Sequence, residues 1–380
     1  MKVCDVVCNS IWYDPRVRKQ IIEYKNNGID ICAVGLKCNR YDKEKLSLIP
    51  CRANIVCIDE RYDGKQKGIL RKLWREHLRN RGIKEAVLKE KPDVIHANDL
   101  DALMAVYPAY KKLKCTLIYD SHEICAENIG TMAKVRFMLP LIKWYEKHMI
   151  NRLDRMVCVS NAAAEYFAEQ YKVKKPMVVT NCSLASEMVL TDKKNDGFEV
   201  LNHGQFYGGR GYDIMVEAAP LLKDYPEIKL ALRGFGVMEN ELKNRTKELN
   251  ADNVIFYPKV RVEELIPEAS KSMVGLALTE PVCLNFKLSV SNKLFEYASA
   301  GLPVIMSDIP EHRYLNEKYS FGVVLKKDSP EELANAILKL YTDKEFYAEC
   351  QQNAVDMSRE VNWENEFKRL IELERNLVGK

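Results

Sequence analysis

Four stretches of the sequence concentrate residue types that bind anions, hold hydroxyls or move protons. The first, residues 291–308, reads SNKLFEYASAGLPVIMSD. Ser291 suits a helix N-cap, Gly301 suits the left-handed position after the last turn, and Pro303 forbids continuation, so a short helix is delimited on both sides. Its face Leu294, Phe295, Tyr297 and Ala298 is apolar. Glu296 lies in the middle of that face, where a carboxylate without partners is costly. Ribose hydroxyls at a cleft would donate hydrogen bonds to Glu296. Lys293 opposes the helix dipole, which makes sense if an anion binds the first amides, those of Asn292 and Lys293. A helix with Glu296 at a solvent edge and Lys293 as a surface charge fits the same spacing.

The second stretch, residues 202–211, reads NHGQFYGGRG. Glycines at 204, 208, 209 and 211 let backbone amides approach a ligand, and Arg210 supplies a planar fork for phosphate oxygens. It is neither a P-loop nor a G-x-G-x-x-G fingerprint, and a plain Gly-rich turn is the commoner origin of such a stretch. The third pairs residues 95–103 (IHANDLDAL) with 118–123 (IYDSHE), placing His96, Asn98, Asp99, Asp120, His122 and Glu123 at strand ends. These are candidates for acid/base work, a hydroxyl-binding cluster or metal ligation, against the plainer reading of satisfied structural histidines. The fourth is residues 9–18, NSIWYDPRVR. There Asp14 can cap a helix, Pro15 fits its first position, and Arg16 or Arg18 could look into a cleft; for Arg18 a surface or salt-bridged role is the simpler expectation.

These stretches must be positioned by the elements around them. Apolar runs at 3–8, 30–34, 54–58, 94–96, 116–119, 156–159 and 177–180 alternate with amphipathic helical patterns, the signature of a parallel sheet with crossover helices. A polar stretch at 186–197 reads as a linker. The alternation then restarts with strands at 199–203, 229–233, 254–256, 274–278, 304–306 and 322–325. The expected fold class is α/β, with two doubly wound parallel-sheet domains facing across a cleft at the strand C-termini. The boundaries are 1–185, a linker at 186–197, 198–361, and a C-terminal amphipathic helix within 362–380.

Composition narrows the function classes. With 58 Lys and Arg against 54 Asp and Glu, the net charge of +4 is too balanced for a dedicated nucleic-acid binder. Residues 61–90 are an exception, with ten Lys/Arg and four Asp/Glu among apolar residues that include Trp74. Residues 133–152 are also basic and apolar. Such faces are usually just solvated, but a one-signed excess beside tryptophan also suits an anionic membrane surface. Twelve cysteines show no CxxC pair and no zinc spacing, which fits reduced, mostly buried thiols. No run of eighteen apolar residues occurs, and the opening reads as a strand rather than a signal peptide, so a cytoplasmic location is expected.

With these residues in view the chain resembles the GT-B glycosyltransferases, specifically family 4, over nearly its whole length. DPRVRKQIIEYKNNGIDICAVG is similar to an Asp-x-Arg-Val segment of a bacterial branch, and HANDLDAL and YDSHE are similar to its acceptor-side loops. GQFYGGRG, LRGFG, NVIFYPKV and SNKLFEYASAGLPVIMSD then follow in family order, and VNWENEFKRLIEL resembles the closing helix. The resemblance implies that Glu296, the second glutamate of the E-x7-E pattern, holds the donor ribose. Arg210 and Lys293 would serve the diphosphate, and His122 would lie near the donor sugar, making His122, Arg210 and Lys293 the catalytic set. Gly204, Gln205, Gly209, Gly234, Val260, Asn292 and Leu294 complete the donor side, with Arg16, Asp99 and Glu123 on the acceptor side. The first glutamate of the pattern is replaced by Leu288, and the usual arginine of Gly-Arg-Leu by Gln205.

The implied reaction moves a hexosyl unit from a nucleoside diphosphate sugar, a UDP-sugar by preference, to a hydroxyl of a glycan or lipid-linked acceptor. It proceeds with retention, without metal or other cofactor, at the inner face of the cell membrane, in bacterial cell-surface polysaccharide synthesis. A GT-B sugar-nucleotide 2-epimerase, a GT-B phosphorylase and a non-catalytic nucleotide-sugar-binding partner are the other readings considered.

Overall fold

Short buried runs such as KVCDVV and DICAVGL are too apolar for a sheet with one wet face, and they form strands covered on both sides. The computed structural model describes residues 1–37, 45, 47–57, 69–125 and 139–379. The chain divides into two compact units, residues 1–180 with 366–380, and residues 181–365.

In the first unit, seven strands form one sheet: β1 (Lys2–Val7), β2 (Asp30–Leu36), β3 (Arg52–Val56), β4 (Val94–Asn98), β5 (Thr116–Ser121), β6 (Arg155–Cys158) and β7 (Met177–Val178). Their order is β3-β2-β1-β4-β5-β6-β7 and every pairing is parallel. The strand order reverses between β1 and β4, which leaves a crevice beyond their C-terminal ends. Helix Pro15–Asn26 starts as expected: Asp14 Oδ1 accepts from the N–H groups of Arg16 (3.1 Å) and Val17 (3.2 Å), with Pro15 in the first turn. Gly28, at φ 69°, ends it.

The second unit repeats the plan with β8 (Phe198–Gln205), β9 (Ile228–Phe235), β10 (Val254–Tyr257), β11 (Val274–Ala277), β12 (Val304–Ser307) and β13 (Gly322–Leu325). The order β10-β9-β8-β11-β12-β13 is again all parallel, with its reversal between β8 and β11. Val200, Leu230, Leu232, Leu276 and Ile305 form the centre of its core.

Residues 186–197, expected as a linker, run along the second unit: Val189 N–H donates to the Ser299 carbonyl (2.9 Å) and Asn195 N–H to that of Lys271 (2.8 Å). The last helix, Trp363–Val378, begins in the second unit, where Trp363 N–H donates to the Ser183 carbonyl. From Glu366 onward it belongs to the first unit. There Glu366 accepts from the Thr180 N–H (2.9 Å) and Phe367 packs edge-on against Tyr24 at 4.7 Å. Residues 61–68 and 133–138, parts of the two basic stretches, lie outside the described residues.

Candidate functional site

The second unit gathers its polar residues where the strand order reverses. β8 ends in Asn202, His203, Gly204 and Gln205, and a turn through Gly209 (φ 75°) and Gly211 (φ 70°) leads into helix Tyr212–Ala218. A side chain at Gly234, next to Gly204 in the sheet, would put its Cβ 1.8 Å from the Gly204 carbonyl oxygen, so β8 and β9 close together only because that position is bare. Helix Asn292–Ser299 supplies the charges. Its Leu294, Phe295, Tyr297 and Ala298 are buried, Asn292 is exposed, and Lys293 and Glu296 are partly buried.

Asn202 ties the two segments together. Its amide nitrogen donates to the Arg210 carbonyl (3.2 Å), and its amide oxygen accepts from Lys293 Nζ (2.6 Å). The Arg210 guanidinium lies 4.7 Å above the Phe286 ring and the Lys293 ammonium 5.0 Å above that of Tyr212. Two cations are thus held on one side of the loop. Burial, aided by the charge of Arg210 and opposed by Glu296, lowers the Lys293 ammonium to about 7. An anion bound there would reverse that shift. Glu296 Oε2 sits 2.7 Å from His203 Nε2.

The N-terminal end of this helix is held from below. Ser291 occupies the cap position but makes no side-chain cap bond. Instead its N–H donates to His312 Nε2 (3.3 Å), while His312 Nδ1 donates to the Ser307 carbonyl (3.2 Å). Burial pushes His312 down to about 4, so it stays neutral and can accept. Glu280 borders the glycine turn through its N–H, which donates to the Gly209 carbonyl (3.1 Å), and burial raises its carboxyl.

The first unit centres on Asp120, fully buried at the end of β5. Arg16 grips it with Nε (2.9 Å) and Nη2 (3.0 Å) and donates from Nη1 to the Val179 carbonyl (3.0 Å). Gln20 Nε2 donates at 2.8 Å, His96 Nε2 lies at 3.2 Å and His122 Nε2 at 3.7 Å. Burial alone would raise Asp120, but the Arg16 charge and both histidines hold it well below the usual carboxylate range. Burial likewise opposes charge on His96 and His122. For His96, Asp120 and Glu374 outweigh it and raise the ring to about 10; for His122, Asp99 and Asp120 raise it to about 9. Glu374, from the last helix, approaches His96 Nδ1 (3.4 Å) and accepts from the Tyr24 hydroxyl (2.5 Å). Asp99, at φ +65°, accepts from the His122 N–H (2.9 Å), and Asn98 Oδ1 lies 3.1 Å from His122 Nε2. Among the described residues no three His, Cys, Asp or Glu side chains converge to hold a metal ion.

Two family models cover most of the chain. Residues 38–183 match Glycosyltransferase Family 4, and residues 186–357 match Glycosyl transferases group 1. The chain belongs to the family 4-type GT-B glycosyltransferases. An uncharacterized glycosyltransferase of Haemophilus influenzae is 23% identical over 237 residues, covering 61% of this chain and 63% of the relative. The alpha-monoglucosyldiacylglycerol synthase of Streptococcus pneumoniae is 24% identical over 271 residues, 65% of this chain and 58% of that one. The matched region therefore spans less than two thirds of either relative. Among solved structures, HepE of Anabaena in complex with UDP superimposes with a TM-score of 0.76 at 15% identity, over 99% of this chain and 100% of that one.

Within this GT-B chain the residues expected on the donor side fall together. Gly204, Gln205, Gly209, Arg210, Asn292, Lys293, Leu294 and Glu296 lie on β8, its following turn and one helix; Gly234 is the last residue but one of β9, and Val260 follows β10 at the same sheet edge. Leu294 is fully buried, so only its backbone can face a ligand. Leu288 ends the short helix Leu284–Leu288 and brings no carboxylate. On the other unit His122 and Asp99 meet, and Glu123 is exposed beside them.

Arg16 is the correction. The sequence places it on the acceptor side, looking into a cleft, but it is 3% exposed and spends its guanidinium on Asp120 and Val179. The site also uses residues that spacing did not single out as ligands' neighbours, namely Asn202, His203 and His312. A polar Asn-His pair closing an otherwise apolar strand was the available signal.

Proposed function

We propose that the protein transfers a hexosyl unit from a nucleoside diphosphate sugar, with a UDP-sugar preferred, to a hydroxyl of a glycan or lipid-linked acceptor, retaining the anomeric configuration and using no metal. The carrying observation is the pair of cations, Arg210 and Lys293, set by Asn202 beside a glycine turn and one helical turn from Glu296. In the reaction the anomeric C–O bond to the β-phosphate breaks, a bond to the acceptor oxygen forms on the same face, and negative charge grows on the departing diphosphate. Arg210, Lys293 and the amides of Asn292 and Lys293 stabilise that charge, and Glu296 holds the ribose hydroxyls. The departing phosphate oxygen takes the acceptor proton, so no second carboxylate at position 288 is required. His122, with Asp99 behind it, orients the sugar. The UDP in the HepE structure supports the donor class.

The acceptor side favours a surface location. Leu73 and Trp74 on helix Ile69–Glu90, and Leu141 and Trp144 on helix Leu139–Ile150, are exposed in the basic half of the chain. The name of the S. pneumoniae relative points to a glucosylated diacylglycerol product, which supports a lipid-linked acceptor. We place the protein at the cytoplasmic face of the membrane, in cell-surface glycan synthesis, held by anionic lipid.

Incubating the protein with labelled UDP-, GDP- and dTDP-hexoses, with and without lipid and glycan acceptors, tests the reaction. Transfer, or slow donor hydrolysis without acceptor, is expected. A donor epimerised at C2 with no release of nucleoside diphosphate would replace transfer by epimerisation, and binding without turnover would make the protein a non-catalytic nucleotide-sugar-binding partner.

A further inference from the structure

A carboxylate that reads a sugar ring must itself be held in one orientation, and the structure contains the group that does so. We propose that His203 is the positioning residue for Glu296, and that through it the site separates ribonucleotides from nucleotides lacking the ribose hydroxyls. The inference rests on the nucleotide reading given above.

The His203 side chain is 2% exposed and that of Glu296 27%, so the histidine is behind the carboxylate and the carboxylate is the part a ligand can reach. His203 Nε2 lies 2.7 Å from Glu296 Oε2. Its Nδ1 is buried and has no hydrogen-bond partner among the described residues. A proton there would be an N–H buried without an acceptor, which is unfavourable. A carboxylate oxygen can only accept, so Nε2 carries a proton and its N–H donates to Oε2.

The ring cannot swing away. It stacks on Tyr297 at 4.6 Å between centroids with an interplanar angle of 29°. The Tyr297 hydroxyl in turn accepts from the His203 backbone N–H (3.0 Å). Tyr297 is itself fixed against β11, where a Cβ on Gly275 would lie 2.2 Å from its ring. Gly275, Tyr297, His203 and Glu296 form one series of fixed contacts that ends at the open side of the site. Fixing the carboxylate plane orients its acceptor oxygens, and two adjacent hydroxyls on one ring are donors that fit a carboxylate held in this way.

The test measures binding of UDP or GDP, whichever the wild-type protein takes more tightly, of its 2′,3′-dideoxy counterpart, and of inorganic pyrophosphate. The wild type should prefer the ribonucleotide by about tenfold or more, the loss expected for hydrogen bonds to a charged group. His203→Leu should remove most of that preference while leaving pyrophosphate affinity within about twofold, since one lost hydrogen bond acts only where it points. His203→Asn, too short to reach Glu296, should behave alike and carries the test if the leucine variant does not fold. His203→Gln, whose amide reaches the carboxylate, should restore part of the preference. An unchanged preference in the leucine or asparagine variant overturns the inference. So does an equal loss for all three ligands, which marks a packing role only. A wild type that prefers the ribonucleotide keeps the nucleotide reading intact in either case; a wild type that binds neither UDP nor GDP removes that reading and this inference together.

Discussion

In the first unit the buried carboxylate of Asp120 is met by donors of its own chain: Arg16 from two nitrogens, Gln20, and His96, which is backed by Glu374. In the second unit the ammonium of Lys293 rests on the neutral amide of Asn202, with a second cation, Arg210, near enough to lower its proton affinity. Both units use the same strand order and place polar side chains at the same topological position. One balances its central charge internally and the other accumulates positive charge. An excess of one sign at a strand edge is stabilised by a ligand of the other sign, which supports the proposed diphosphate site in the second unit and a framework role for Arg16 and Asp120 in the first.

That contrast can be broken by substitution. Arg16→Met should destabilise the fold by about 3–5 kcal/mol in chemical denaturation, because Asp120 is left buried and uncompensated. A loss under about 1 kcal/mol would place Arg16 among ordinary surface pairs. Arg210→Ala should do the reverse. It should lower turnover by roughly 10²–10³ with the unfolding midpoint unchanged, as its guanidinium leans on Phe286 at the surface and carries transition-state charge. Near-normal turnover in that variant would move the diphosphate elsewhere.

Lys293 offers a smaller and graded effect. Its ammonium titrates near 7 in the free protein, and a bound diphosphate must raise that value. Binding therefore takes up a proton above about pH 7, and affinity should fall by up to about tenfold per pH unit between 7 and the bound-state value. Calorimetry in two buffers of different ionisation heat reads this uptake. Lys293→Arg, charged throughout, should flatten the profile, and a pH-independent wild type would contradict the placement. The smallest effect concerns the exposed aromatics of the first unit. Wild-type protein should sediment with anionic but not neutral vesicles and be released by salt, and Trp74→Ala with Trp144→Ala should weaken this several-fold; sedimentation with neither vesicle would end the membrane proposal.

Much of this architecture was legible from periodicity. Each of the thirteen expected strand segments coincides with a strand, because buried parallel strands must be almost wholly apolar and stand out from their helices. Their ends shifted by at most two residues, and β7, a sheet-edge strand, keeps only two residues because pairing stops early there. Gly301 occupies its expected left-handed position at φ 68°, whereas Glu296, expected in the middle of the apolar face, lies 27% exposed at its edge. Partnerships were not legible. Nothing in the spacing of Arg16 and Arg18 says which one turns inward; that depends on Asp120, more than a hundred residues away, and it is Arg18 that lies 5.0 Å over Trp12. His203 and His312 were hidden for the same reason, since each acts on the helix Asn292–Ser299 from a different segment.

The central claim is that the second unit holds a nucleoside diphosphate sugar through Arg210, Lys293 and Glu296. A thermal-shift panel of UDP-, GDP- and dTDP-sugars on the wild-type protein tests it most directly, because a ligand that binds the native state raises the unfolding midpoint with its concentration. The account predicts that at least one of these sugars, a UDP-sugar first, raises the midpoint progressively and that Arg210→Ala largely abolishes the rise. A midpoint that stays flat with every nucleotide sugar at millimolar concentration, or a rise undiminished in that variant, would contradict it.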